Sequence, residues 1–191
     1  MTSWREIQLP MSNEAISTLK AGDKILFSGT IYAARDAAHK RFVEALDRGD
    51  KLPIDLSTAV IYYMGPSPTR PGDIIGACGP TTSARMDKYT PRLIADGLRV
   101  MMGKGDRSPV VVDAIKKHGA VYLITIGGAG ALLSLKVNNS ATVAYPDLGA
   151  EAVLKLEVDH FPAVVAVDSQ GNDICKIGPA QYRTINQEAT K

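Results

Sequence analysis

The sequence predicts an α/β fold built on a mixed sheet, and three observations carry that expectation. Apolar, β-branched runs of strand length alternate with segments of helical periodicity through the middle of the chain. The last third reads as strand after strand, which argues against a plain doubly wound parallel sheet. The chain of 191 residues, 45% hydrophobic and 22% charged, suits one sizeable domain, taken as 1–191, with a core that needs no disulfides.

The elements follow in order. "REIQLP" reads as a short strand ending at Pro10, and "SNEAISTLKAGD" as a short helix opened by Ser12 and Asn13 and stopped at Gly22. "KILFSGTIYAA" is a strand by its β-branched and aromatic content. "RDAAHKRFVEALDRGD" puts Ala38, Phe42, Val43 and Leu46 at helical spacing before a glycine stop at Gly49. "AVIYYMGPSP" is a strand running into a proline-rich loop, "DIIGACGP" a further strand, and "DKYTPRLIADG" an interrupted helix with Pro91 near its start. "LRVMMGKGD" is a strand closed by a Gly-Lys-Gly turn, and "SPVVVDAIKKHG" a helix with Ser108 as cap and Pro109 in its first position. "AVYLITIGG" is a strand, "AGALLSL" a short helix, and "KVNNSATVAYP" a strand interrupted at Asn138-Asn139. The tail "AVLKLEVDHFPAVVAVDSQGNDIC" reads as closing strands joined by turns, with "DSQGND" a hairpin-type turn.

The totals exclude several classes of function. A formal net charge of +2, with no basic run and no interleaving of aromatic and basic residues, gives no footprint for nucleic acid. No apolar run approaches membrane-spanning length and the N-terminus has no signal-type core, so a cytoplasmic protein with no membrane partner is expected. The two cysteines, Cys78 and Cys175, lie far apart without metal-ligand spacing. They fit a reducing compartment, with Cys78 packing as a small hydrophobe and no metal bound by the chain.

Chemistry is concentrated in four stretches where a strand ends and small, polar or charged residues follow: "GTIYAARDAAH", "GACGPTTSAR", "MMGKGDRS" and "TIGGAGA". In α/β sheets ligands bind beyond the carboxyl ends of strands, where helix N-termini present free N–H groups. Arg35, Arg85 and Lys104 would bring three cations to that rim, and the glycines would let backbone amides approach a small ligand. Such a rim suits a small multiply charged anion, a dicarboxylate or a phosphate. Asp36, His39, Thr82, Asp87, Gly103 and Gly105 stand in the same stretches as further candidates to touch the substrate or support those that do. The plain readings are that a single arginine is a solvated cap or salt-bridge residue, that His39 is an ordinary partly exposed histidine, and that "GGAGA" is tight helix–strand packing. "GKGD" lacks the full Walker pattern.

Together "GTIYAARDAAHKR", "GPTTSARMDKYTPRL" and "MMGKGDRS" resemble, in order, the β region of the iron–sulfur-dependent hydro-lyases, the class I fumarases and L(+)-tartrate dehydratases. The resemblance covers nearly the whole chain, and its most specific part is the Thr-Thr-x-x-Arg-Met-Asp run. It implies a swivelling β/β/α domain, found in some members as the C-terminal part of one long chain and in others as a separate subunit. It implies a cluster-bearing α subunit as partner, in a dimer of heterodimers, with the [4Fe–4S] cluster in that subunit and no cofactor bound by this chain. It also implies roles: Thr81 as catalytic base, and Arg35, Arg85 and Lys104 as holders of the substrate carboxylates. The Ser83-Ala84 spacer before Arg85 is expected to be neutral. Three functions remain in view: fumarate hydration, tartrate dehydration, and a stand-alone small-anion-binding module with no need of Thr81 as a base.

Overall fold

The computed structural model describes residues 4–182, so residues 1–3 and 183–191 of the expected domain lie outside the described part. Seven strands, β1 (Arg5–Gln8), β2 (Lys24–Ala33), β3 (Val60–Tyr62), β4 (Val100–Gly103), β5 (Val121–Ile124), β6 (Val137–Ala144) and β7 (Val153–Val167), form one sheet in the order β1-β2-β3-β4-β5-β7-β6. Strands β2 to β5 run parallel to their neighbours, and β7 is antiparallel to both β5 and β2. That second pairing of β7 closes β2-β3-β4-β5-β7 into a small barrel, with β1 and β6 added outside the ring. The architecture is α/β with a mixed sheet, of the swivelling β/β/α kind that the sequence led us to expect.

Strand alternation sorts the apolar side chains into two cores. Val60, Tyr62, Val100, Met102, Val121 and Leu123 point into the barrel, where they meet Phe27 and Phe161. Their neighbours Ile61, Tyr63, Met101 and Tyr122 point outward and are covered by α2 (Asp36–Arg48), α3 (Thr90–Ala95) and α4 (Pro109–His118). The covering helices carry sound end signals. Both α2 and α4 finish on a left-handed glycine, Gly49 at φ 77° and Gly119 at φ 67°. Pro109 opens α4, where its missing N–H costs nothing.

Several expectations are corrected. "DIIGACGP" is a loop: the ladder positions on either side of β3 are already taken by β2 and β4. Its backbone groups are satisfied elsewhere, Ala77 N–H by Ser67 Oγ at 2.8 Å and Cys78 N–H by the Gly130 carbonyl at 2.9 Å. The tail is a single 15-residue strand, β7, and not several. It changes partner along one edge, from β6 up to Val158 to β5 from Val164. His160 takes a left-handed φ of 49° and Pro162, with no N–H to give, falls in the gap between those partners. "DSQGND" does turn, Asp168 gathering the N–H groups of Gln170 and Asn172 at 3.0 Å each, but α6 (Ile174–Tyr182) follows in place of a strand. The first helix, α1 (Asn13–Ser17), also stops short of Gly22, although Ser12 caps it as expected. The break at Asn138-Asn139 is a shift of register between Val137 and Asn139 in one continuous β6.

Candidate functional site

Parallel pairing brings the carboxyl ends of β2, β3, β4 and β5 to one side of the barrel, and three of the four chemistry-bearing stretches leave directly from the ends of β2, β4 and β5. Beyond β3 the chain makes a long excursion and returns as residues 79–82. It re-enters beside its own strand, through an isolated bridge between Met64 and Pro80 and a 2.7 Å bond from Thr81 N–H to the Tyr63 carbonyl. On its other side it bridges Lys104: Lys104 N–H donates to the Thr81 carbonyl at 3.3 Å, and Ser83 N–H to the Lys104 carbonyl at 2.9 Å. The Thr81-Thr82 pair and Lys104 are therefore backbone neighbours on adjacent segments. A 3₁₀ turn, Ser83–Met86, then carries Arg85.

The cations of this rim differ in what holds them. Arg85 and Lys104 are exposed, and among the described residues neither makes an ion pair. The stem of Lys104 passes Gly127, where an added Cβ would sit 3.8 Å from Lys104 Cδ. Arg35 is the residue just before α2, and its guanidinium is already engaged. Nε and Nη2 reach Asp36 at 3.3 Å, and Nη2 also reaches Glu151 at 3.3 Å. Nη1 lies over Gly65 and has no hydrogen-bond partner among the described residues. Asp36 is thus an ion-pair partner of Arg35. Glu151, which sequence reasoning did not single out, also accepts Ala37 N–H at 3.1 Å and so caps α2.

Behind the rim lies a buried polar array that the motifs only partly signalled. The Arg107 side chain is fully covered, donating from Nε to Asp87 at 2.8 Å, from Nη2 to Thr90 Oγ1 at 2.8 Å and from Nη1 to the Tyr63 hydroxyl at 3.3 Å. Its guanidinium carbon stands 4.8 Å and 5.3 Å from the ring centres of Tyr122 and Tyr63. The second oxygen of Asp87 accepts Ser108 N–H at 2.7 Å. The Tyr122 hydroxyl donates to the Gly105 carbonyl at 2.7 Å and shares a 2.8 Å hydrogen bond with Ser83 Oγ. Ser83 thus joins this array through its hydroxyl. A Cβ on Gly103 would collide with Ser83 Oγ and the Tyr63 ring, so the glycine is what lets these two segments close. Gly105, at φ 78°, holds the left-handed turn that follows Lys104.

His39 belongs to the same interior and is fully buried, not partly exposed as expected. Its ring stands edge-on to Tyr63, 5.2 Å between centres, and Nδ1 lies 2.9 Å from the Arg35 carbonyl. A carbonyl can only accept, so Nδ1 carries the proton and Nε2 is left as a buried acceptor with no partner among the described residues. Burial, aided by the charge of Arg107, pushes the imidazole down to about 4, against the upward pull of the Arg35 carbonyl and Asp36. Cys78 is buried as expected, and that burial pushes its thiol up to about 12. Among the described residues no group of three or more His, Cys, Asp or Glu side chains is placed to hold a metal ion. The two free thiols do not fit an iron–sulfur cluster either.

Next to the rim, beyond β5, an apolar groove runs between Trp4, Ile126, Leu132 and Pro162, with Lys136 at its edge. Ile126 and Leu132 are 74% and 69% exposed, large apolar surfaces that water does not favour. No helix among the described residues is long and apolar enough to cross a membrane.

Residues 2–178 match the family model described as "Fumarase C-terminus". The chain belongs to that family. It is similar to "Fumarate hydratase 2" of Leishmania major, 42% identical over 84% of this chain and 29% of the relative. It is also similar to "Fumarate hydratase class I, aerobic" of Escherichia coli, 43% identical over 88% of this chain and 30% of the relative. A third relative, "Putative L(+)-tartrate dehydratase subunit beta" of Methanocaldococcus jannaschii, is 36% identical over 93% of this chain and 94% of its own length. The chain thus spans about a third of the fumarate hydratases that it matches and nearly all of the subunit. These relatives place it in a family of hydro-lyases.

Proposed function

We propose that this chain is the β subunit of an iron–sulfur-dependent hydro-lyase that reversibly hydrates fumarate to malate in the cytoplasm, working with a cluster-bearing α subunit in a dimer of heterodimers. One observation carries the reading: Arg85 and Lys104, both exposed and without acidic partners among the described residues, flank the Thr81-Thr82 pair on bridged segments. Two uncompensated cations beside paired hydroxyls suit a dianionic substrate with a proton to lose. Lys104 and Arg85 would hold its carboxylates, and Nη1 of Arg35 offers donors for a third contact. Removing a proton beside a carboxylate spreads charge into that carboxylate. A cation aimed there therefore stabilises the transition state more than the ground state. Thr81 would take the proton at its Oγ1, and the nearby cations favour the alkoxide that this requires. The cluster is assigned to the α subunit, since among the described residues no group of side chains is placed to hold it. The apolar groove beside Lys104 gives a partner a place to seat while covering the site.

Tartrate dehydration is a second reading of the same site. It is favoured by the Methanocaldococcus relative, named "Putative L(+)-tartrate dehydratase subunit beta" and matched over 94% of its length. The test is anaerobic co-expression with the candidate α subunit, followed by assays with fumarate and L(+)-tartrate. The proposal expects fumarate hydration by the complex and none by this chain alone. Turnover by the isolated chain would overturn the split-site reading, and turnover of tartrate alone would select the second one.

A further inference from the structure

Arg107 is fully covered, so it cannot reach a ligand on the rim, yet it spans the two turns that carry the candidate site. One turn, residues 103–108, presents Lys104. The other, residues 81–87, presents Thr81, Thr82 and Arg85. Their rigid connection runs through Asp87, whose two oxygens take Arg107 Nε at 2.8 Å and Ser108 N–H at 2.7 Å. Thr90 and Tyr63 fix the other guanidinium nitrogens, so the fork is held in one orientation by α3 and by the residue following β3. The rings of Tyr63 and Tyr122 line its faces, and Tyr122 in turn grips Gly105 and Ser83, one from each turn. Every contact of the guanidinium is thus made to an element that frames the rim. A planar fork suits this task and an ammonium does not, because three separate acceptors lie in fixed directions around it.

We propose that Arg107 is a positioning residue that sets the Lys104 turn against the Thr81–Arg85 turn, so that the cations and the hydroxyl meet one substrate together. The proposal rests on the hydro-lyase reading of the rim. It differs from a role in general stability by predicting coupling that is specific to Lys104.

Two measurements test it. The first needs no activity: amide hydrogen exchange in the full chain, wild type against Arg107→Met. Protection at Ser83, Lys104 and Ser108 should fall by about tenfold or more, while the Tyr63 N–H, bonded to Met102 inside the sheet, keeps its wild-type protection. Wild-type protection at the three amides, or an equal loss everywhere, overturns the proposal. Should Arg107→Met fail to fold, Tyr63→Phe removes one guanidinium partner only and is read by the same amides. The second measurement is a cycle of kcat/KM in the assembled enzyme. The loss caused by Lys104→Ala should be about tenfold smaller in the Arg107→Met background than in the wild type, because Lys104 is already misplaced there. Additive losses overturn the proposal. If the assembled wild type neither hydrates fumarate nor dehydrates tartrate, the hydro-lyase reading fails, and the exchange data alone decide whether Arg107 ties the two turns.

Discussion

Two arginines of one neighbourhood, Arg85 and Arg107, have opposite surroundings. Arg85 stands on the 3₁₀ turn, exposed and without an acidic partner among the described residues. Arg107 is sealed behind that turn with a carboxylate, two hydroxyls and two aromatic rings around it. The contrast separates two uses of the same side chain. A guanidinium whose donors are all directed inward organises structure, whereas one left open at a strand end has its charge available for an anion. Arg35 is intermediate: two of its nitrogens are occupied by Asp36 and Glu151, and Nη1 remains over Gly65.

The largest effect that would sharpen this contrast is expected at Thr81, on the segment that bridges Lys104 and leads to Arg85. Thr81→Val keeps the shape and removes the oxygen. If Thr81 transfers the proton, kcat of the assembled enzyme should fall by about 100- to 10,000-fold, with Thr81→Ser retaining a measurable part. A rise in KM with kcat unchanged would instead make the hydroxyl a carboxylate ligand. Exchange of solvent deuterium into malate checks the proton step separately and should collapse in the valine variant.

Stability should respond in the reverse pattern. Arg107→Met leaves the Asp87 carboxylate without its cation in a poorly hydrated place, a loss on the order of 3–5 kcal/mol by denaturant unfolding. Arg85→Met, which leaves nothing buried and unpaired, should stay within about 0.5 kcal/mol of wild type. Equal losses at the two positions would erase the distinction.

The smallest of these effects is read by pH. His39 is neutral and buried, and its folded-state value of about 4 lies below the 6.5 of an unperturbed histidine. Between these two values the unfolded chain binds a proton that the folded chain does not, so stability falls as pH drops through that window and is fully present above it. The contribution is on the order of 3 kcal/mol across the window. Wild type should therefore lose about that much more stability than His39→Leu between pH 7 and pH 4. A pH profile identical in the two proteins would show that His39 titrates normally.

Much of the barrel was legible in the chain because its signals are local. The unbroken apolar runs in "AVIYYMG" and "LRVMMG" give strands buried on both faces, and Gly49 and Gly119 mark the ends of helices that the apolar spacing had already outlined. The long β7 was not, because its continuity across His160 and Pro162 depends on a change of partner that no local pattern records. For the site, strand-end clustering pointed to Arg35, Arg85 and Lys104 together, since strand order in parallel sheets puts such ends side by side. What it missed is long-range. Arg107 sits in the same "GKGDRS" run as Lys104, but its burial depends on Asp87, Thr90, Tyr63 and Tyr122, which meet only once β3, β4 and β5 are paired. Glu151 is farther still, reaching Arg35 from the turn before β7. The adjacent tyrosines 62 and 63 were the available signal: in a strand buried on both faces one of them must point outward, and its hydroxyl needs a partner.

The central claim is that the open cations of the rim bind substrate while the buried one holds the rim in place. The most direct test is Arg85→Lys in the assembled enzyme, with kcat/KM for fumarate and the thermal midpoint measured on the same preparation. Charge is kept and the planar fork is lost, so the account predicts a fall in kcat/KM of about 100-fold or more, with the midpoint moving by no more than about 2 °C. Near-normal turnover by the lysine variant would contradict it and make Arg85 a surface residue with no part in the chemistry.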